Sequence, residues 1–348
     1  MTKRSVAIGE KNIGPGHPIY LIAEVGTTCL GDMDKALKLI EAGAAAGVDA
    51  VKFQVIDPDQ DSNAGATYNF NAGGQARSGN MQEMFRRLQF SPAEWAQIAA
   101  ACKAAGVHFF ATVDYEAGVD MLEEIGVPAH KLGAWDTTFM PLIQKVAKTG
   151  KPVFVDLGPT TEDEIDEMAG AFTAAGGAEL LLLHDYHTSL PGQMNMKTVP
   201  YLEQRMRWPV GYSSPGRDDD VDMVAVGLGA HYLEKRLILS RNDVAFHADE
   251  SCEPGELKAW VERIRRVEQT LGRPGVVPSD NDLAGAKKYY RSICTLSPIK
   301  AGEAFSPANL SGKRPGTGMH TRELPAIWGT VAKRDLPANH LLAAEDLA

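Results

Sequence analysis

Eight short apolar runs, at residues 21–26, 50–55, 107–112, 130–133, 153–157, 180–184, 210–213 and 232–236, are separated by stretches of helical periodicity. Alternating strands and helices build parallel strands joined by crossover helices, and eight repeats predict a closed (β/α)8 barrel, an α/β fold. The helix signals are local. Asp32 precedes the apolar stripe Met33, Ala36, Leu37 and Ile40, which stops at Gly47. Ser91-Pro92 combines a capping hydroxyl with a fixed φ, and Thr161-Glu162-Asp163-Glu164 has the capping-box spacing. A further helix is expected over residues 256–271, after the eighth strand.

One connection breaks the rhythm. Residues 57–80 are rich in Gly, Asn, Asp and Ser and too long for a plain strand-to-helix loop, which predicts a lid over the open barrel face. Beyond Gly272-Arg273-Pro274-Gly275 the composition changes. The expected division is a barrel over 1–276, a linker over 277–290 and a small β-rich domain over 291–348. In the tail, residues 299–310 resemble residues 336–347, a weak internal repeat suited to short strands and turns. Between the copies lies a rigid turn with adjacent cations, Lys313-Arg314-Pro315-Gly316-Thr317-Gly318.

A formal charge of -10 argues against a nucleic-acid partner, though an acidic surface can still enclose a local cationic pocket. The four cysteines, Cys29, Cys102, Cys252 and Cys294, are scattered without a CxxC pair, so neither a zinc site nor a disulfide framework is indicated. No apolar run approaches membrane-spanning length and no signal peptide is apparent at residues 1–7, so a cytoplasmic protein is expected.

Parallel α/β sheets bind ligands at their carboxyl edge. Read in order, those strand ends carry Glu24, Lys52, Thr112, Lys131, Asp156, His184 with Asp185, Ser213, and Lys235 with Arg236. A rim salt bridge between Glu24 and Lys52 is one reading of the first pair. Two lysines, an arginine and hydroxyl donors at one mouth favour another, a site for a ligand with phosphate and carboxylate groups. No GxGxxG follows a strand, and GxxxxGK[ST] and GxSxG are absent, so nucleotide chemistry and a serine nucleophile lack support.

The motifs Ile22-Ala23-Glu24-Val25-Gly26, Asp49-Ala50-Val51-Lys52-Phe53-Gln54, Gly126-Val127-Pro128-Ala129-His130-Lys131, Pro209-Val210-Gly211-Tyr212-Ser213, Leu233-Glu234-Lys235 and Lys313-Arg314-Pro315-Gly316-Thr317-Gly318 occur in this order. Together they resemble the sialic (nonulosonic) acid synthases over nearly the whole chain. The resemblance implies a barrel joined to an antifreeze-like (SAF) domain, in a homodimer that swaps that domain over the partner's site. It also implies that phosphoenolpyruvate (PEP) and a sugar aldehyde are condensed to a sugar acid and phosphate. By resemblance Lys52, Thr112, Lys131 and Ser213 hold PEP, and Gln54, Tyr212 and Arg314 contact the sugar. Glu24 and Asp136 move protons or orient the reactants.

The chain departs from this family where a divalent metal, Mn or Mg, is usual. Its two histidine positions are Pro215 and Arg236 here, and the family's Ser-Gly-Glu reads Ala134-Trp135-Asp136. Proline offers no side-chain donor and arginine stays protonated, so no metal site is expected from these residues. Arg236 as a fixed cation that polarises the acceptor carbonyl is the preferred reading. A relocated metal site from His184, Asp185, His187 and His247 is the alternative. Two other functions stay open: a non-catalytic relative that binds an anionic metabolite or glycan precursor, and an aldolase with Lys131 as Schiff-base lysine.

Overall fold

The computed structural model describes residues 4–188 and 190–348. The chain forms two compact units that divide after Gly272.

The first unit opens with an antiparallel hairpin of β1 (Val6–Ile8) and β2 (Lys11–Ile13), which the sequence reading did not anticipate. The barrel follows. Its strands are β3 (Tyr20–Glu24), β4 (Ala50–Val55), β7 (His108–Val113), β8 (His130–Leu132), β9 (Val153–Asp156), β10 (Leu180–His184), β11 (Val210–Ser213) and β12 (Tyr232–Arg236), with β5 (Thr67–Ala72) and β6 (Gln75–Asn80) forming a separate hairpin. They close in the order β10-β11-β12-β3-β4-β7-β8-β9, all parallel. The expected (β/α)8 barrel is therefore present, its strand runs shifted by a residue or two.

The helices start where capping chemistry placed them. In α1 (Met33–Ala46), Asp32 accepts from the Lys35 N–H at 3.0 Å, and Gly47 ends the helix at φ 89°. Ser91 and Glu94 form a reciprocal capping box, as do Thr161 and Glu164. Asp49 works at the amino edge of the barrel, opposite the ligand edge. It accepts from the Leu21 N–H at 2.8 Å and pairs with Lys11 of the first hairpin at 2.7 Å.

Residues 57–80 contain a short helix, Pro58–Asp61, and the hairpin β5–β6. Its two-residue turn is Gly73-Gly74, both at positive φ (62° and 70°), the backbone a tight hairpin turn needs. Asp249 fastens that turn by accepting from both glycine N–H groups at 3.0 Å each. Tyr68 stacks on Phe70 and meets Phe246 edge-on, each with centroids 5.2 Å apart. The expected lid is thus a docked wall, held by aromatic packing and a carboxylate.

In the second unit, the stretch read as a linker carries a helix, Asp280–Tyr289, started by a capping box between Ser279 and Asp282. The two repeat copies meet where they begin, with Ile299 and Leu336 exchanging backbone hydrogen bonds of 2.9 and 2.8 Å. Gly302 and Asn339, equivalent in the repeat, both take positive φ (79° and 60°), a conformation those two residue types tolerate best. Among the described residues no helix is long and apolar enough to cross a membrane.

Candidate active site

A cavity of about 660 Å³ opens at the carboxyl edge of the barrel. Because side chains alternate along a strand, residues two apart face it together. On β4, Lys52 and Gln54 both line it; on β12, Glu234 and Arg236 do, and Lys235 between them points outward. Lys235 is instead buried against Asp222 at 2.6 Å, with its ammonium 5.9 Å from the Trp260 ring, so its expected place on the rim is corrected.

The floor is an ion network. Glu234 bridges two lysines, one oxygen 2.9 Å from Lys52 and the other 2.7 Å from Lys131. Lys131 also meets Asp156 at 2.9 Å, and Lys52 donates to the Thr112 hydroxyl at 3.3 Å. Burial would raise the Glu234 pKa, but Lys131 and Lys52 outweigh it and hold the carboxylate at about 2. Asp156 goes the other way: burial, helped by Asp185 and Glu234, overcomes Lys131 and pushes it up to about 7. Lys131 is raised because Asp156 and Glu234 together exceed the cost of its burial.

Glu24 does not pair with Lys52, although the two are register partners on β3 and β4. One oxygen of Glu24 accepts from the Gly26 N–H at 2.8 Å, and the other is buried in the cavity wall without a partner. Gly26 is needed beside it, since a Cβ there would come within 2.6 Å of Gln54 Cγ. Asp136, on the short turn after β8, lines the cavity with a pKa pushed to about 7 by burial and by Asp61. Asp114 is raised well above the usual carboxylate range by burial, Asp136 and Asp61.

The expected site residues divide into two groups. The structure brings Glu24, Lys52, Gln54, Thr112, Asp136, Ser213 and Arg236 to one cavity. Lys131 lies beneath it, fully buried, and acts on the floor only through its carboxylates. Tyr212 faces away and packs on His184 with centroids 5.9 Å apart. Arg314 belongs to the second unit, where its Nε donates to the Tyr289 carbonyl at 2.7 Å. Residues not anticipated are Asp61, Asp114 and Glu234, with Tyr68 and Phe246 on the apolar side. Period-two counting finds two of them: Asp114 is two beyond Thr112, and Glu234 two before Arg236.

The cavity is also more acidic than the strand ends suggested. Glu24, Asp61, Asp114, Asp136, Asp156, Asp185 and Glu234 line it, against Lys52 and Arg236. Neither expected metal-ligand position supplies a ligand: Pro215 has no side-chain donor, and the Arg236 guanidinium stays protonated and donates to the Ser214 carbonyl at 3.5 Å. The relocated cluster does not assemble either. His184 is bonded to the Met194 carbonyl at 2.7 Å, His187 to Asp185 at 3.4 Å and His247 to Glu250 at 2.9 Å. Among the described residues, no three His, Cys, Asp or Glu side chains converge as a metal site.

Fold and site together define a barrel protein with its ligand cavity at the carboxyl edge, followed by a small second unit. The chain belongs to the NeuB family, which matches residues 39–275, and residues 290–348 match the SAF domain. It is 32% identical over 345 residues to an uncharacterized protein from Methanocaldococcus jannaschii, covering 98% of each chain. It is also similar to N,N'-diacetyllegionaminic acid synthase from Campylobacter jejuni, at 27% over 328 residues, covering 92% of this chain and 98% of that one. Among solved structures, spore coat polysaccharide biosynthesis protein SpsE from Bacillus subtilis aligns with a TM-score of 0.66 at 26% identity, covering 99% of both chains.

Proposed function

We propose that the protein is a PEP-dependent synthase that joins PEP to an open-chain, N-acetylmannosamine-like aldose, giving a nonulosonic (sialic-type) acid and phosphate without a metal. The observation that carries this reading is the floor network. Lys52 and Lys131 are held rigidly by Glu234, with Thr112 and Ser213 adding hydroxyls to the same edge. Lys52, held in place in this way, meets a small dianion with little rearrangement, and Lys131 adds its charge from beneath.

Carbon 3 of PEP attacks the aldehyde carbon, forming the carbon–carbon bond and placing negative charge on the former carbonyl oxygen. Arg236 stabilises that oxygen, and Asp136, poised near 7, gives it a proton. Water then adds at carbon 2 and loses one proton to the unpartnered oxygen of Glu24; the resulting hydroxyl collapses to the ketone as phosphate leaves with the carbon–oxygen bonding pair and takes up the second proton. Gln54 holds the acceptor, and in a homodimer Arg314 of a second copy joins it. Tyr212 and Lys131 support the strands and the floor rather than touch substrate.

The test is phosphate release from PEP with N-acetylmannosamine and a panel of neutral aldoses, with and without chelator. Chelator-insensitive release supports the reading. Release abolished by chelator and restored by Mn2+ refutes its metal-free form. No release with any aldose favours the second reading, a relative that binds an anionic metabolite or glycan precursor without turnover, which the replacements Pro215 and Arg236 support.

A further inference from the structure

We propose that Trp135, braced on His187, is a stacking shelf for the carbon skeleton of the acceptor sugar and so a residue that determines acceptor specificity. The proposal rests on the synthase reading above. Its first observation is exposure. Trp135 lines the cavity yet is 74% exposed, while the other four tryptophans are buried or half-buried. A large ring left open at a cavity mouth offers an apolar face to a ligand entering there.

The ring is held in one orientation. Its indole lies parallel to the His187 imidazole, 8° between planes and 5.0 Å between centroids, so one face is covered and the other is free. His187 is itself fixed by Asp185 at 3.4 Å. The backbone makes room for this stack at Gly158, where a Cβ would approach Ala134 Cβ to 2.6 Å and His187 Cε1 to 3.1 Å. A braced, flat indole loses little freedom when a ligand covers it.

Its chemistry discriminates between the two substrates. An open-chain or ring sugar presents C–H groups on one face, which pack on an electron-rich ring. PEP, small and dianionic, gains nothing there and belongs over Lys52 with the Thr112 and Ser213 hydroxyls. Trp135 also precedes Asp136 in the same turn, Ala134–Asp136, so a sugar on the shelf lies beside the proposed proton donor.

The experiment uses intact protein with PEP present and N-acetylmannosamine and mannose as probes. Acrylamide quenching reads Trp135 directly, because the quenchable emission it contributes is missing in W135F. Sugar should protect that emission. A stacked contact of roughly 60 Å², about a third of what a Trp side chain buries, predicts about a tenfold weaker sugar half-saturation in W135A. PEP half-saturation should stay unchanged, and W135F should recover most of the loss. Unaltered sugar affinity in W135A, or emission that neither sugar protects, overturns the shelf even if phosphate is released. Emission already shielded in sugar-free protein also overturns it, since protein then covers the indole. Sugar protection without any phosphate release leaves the shelf standing and rejects the synthase reading.

Discussion

Replacing Glu234 with Gln removes a charge but little volume from the centre of the ion network. The carboxylate is 4% exposed and lies 2.9 and 2.7 Å from the Lys52 and Lys131 ammonium groups. Those lysines overcome the effect of burial and hold it at about 2, against 4.5 for an ordinary glutamate. That gap, at about 1.4 kcal/mol per pH unit, is about 3 kcal/mol of stability at neutral pH. The figure sits at the low end of the about 3–5 kcal/mol that breaking a buried ion pair costs. A depressed carboxylate pKa contributes stability above the unfolded value and loses it as pH falls toward the folded one. The cost of E234Q should therefore shrink from about 3 kcal/mol at pH 7 to about 1 kcal/mol at pH 3. Unfolding entropy of about 2.1 cal/mol/K per residue over a barrel of roughly 270 residues turns 3 kcal/mol into a drop of about 5 °C. Calorimetry at both pH values reads this. An E234Q protein that melts within a degree of wild type at pH 7, or a gap that widens on acidification, refutes the network's assigned role.

Two further outcomes follow from the same site. Asp136 and Asp156 are each pushed to about 7, chiefly by burial, so an anion placed over them favours their protonated forms. PEP should bind with proton uptake and weaken from pH 6 to pH 8, by up to about tenfold per pH unit for each group that titrates. Calorimetric titration in buffers of different ionisation heat measures this, and a pH-independent Kd without uptake rejects it. R236Q should lower kcat by about 100-fold, the usual cost of removing one donor to a developing oxyanion, and Mn2+ should not restore it. Rescue by Mn2+ would show that the pocket still binds a metal there, and wild-type kcat in R236Q would refute the role assigned to the arginine.

The barrel was legible because its signals are short-range and repeated. Caps at Asp32, Ser91 and Thr161 start helices without help from tertiary contacts, and Gly47 ends one for a conformational reason. The hairpin in residues 57–80 was missed although its signal was present. Thr67-Tyr68-Asn69-Phe70-Asn71-Ala72 alternates polar with apolar residues and runs into Gly73-Gly74, a two-residue turn. Its composition pointed to a loop because the aromatic partner that fixes it, Phe246, lies far away in the chain. The hairpin of residues 6–13 was hidden in the same way, since its role depends on Asp49.

The site was legible by position but not by charge. Strand ends identify which residues approach the mouth, yet whether a lysine is free or paired depends on strands brought together by closure of the barrel. Lys52 and Glu234 are far apart in sequence, and β3 lies between their strands. Their pairing makes Glu234 a structural counter-ion and leaves the Glu24 oxygen unengaged. The seven lining carboxylates then pose a question that the cationic reading of the rim did not raise: what allows such a cavity to accept an anion? Burial favours a proton there, since it pushes Asp156 up to about 7. With Asp156 protonated, the two lysines of the floor face only the charge of Glu234, and the floor carries one net positive charge; with Asp156 ionised it is neutral. Protons on Asp156 and Asp136 therefore offset negative charge in the cavity, and Arg236 supplies a fixed cation in the same lining.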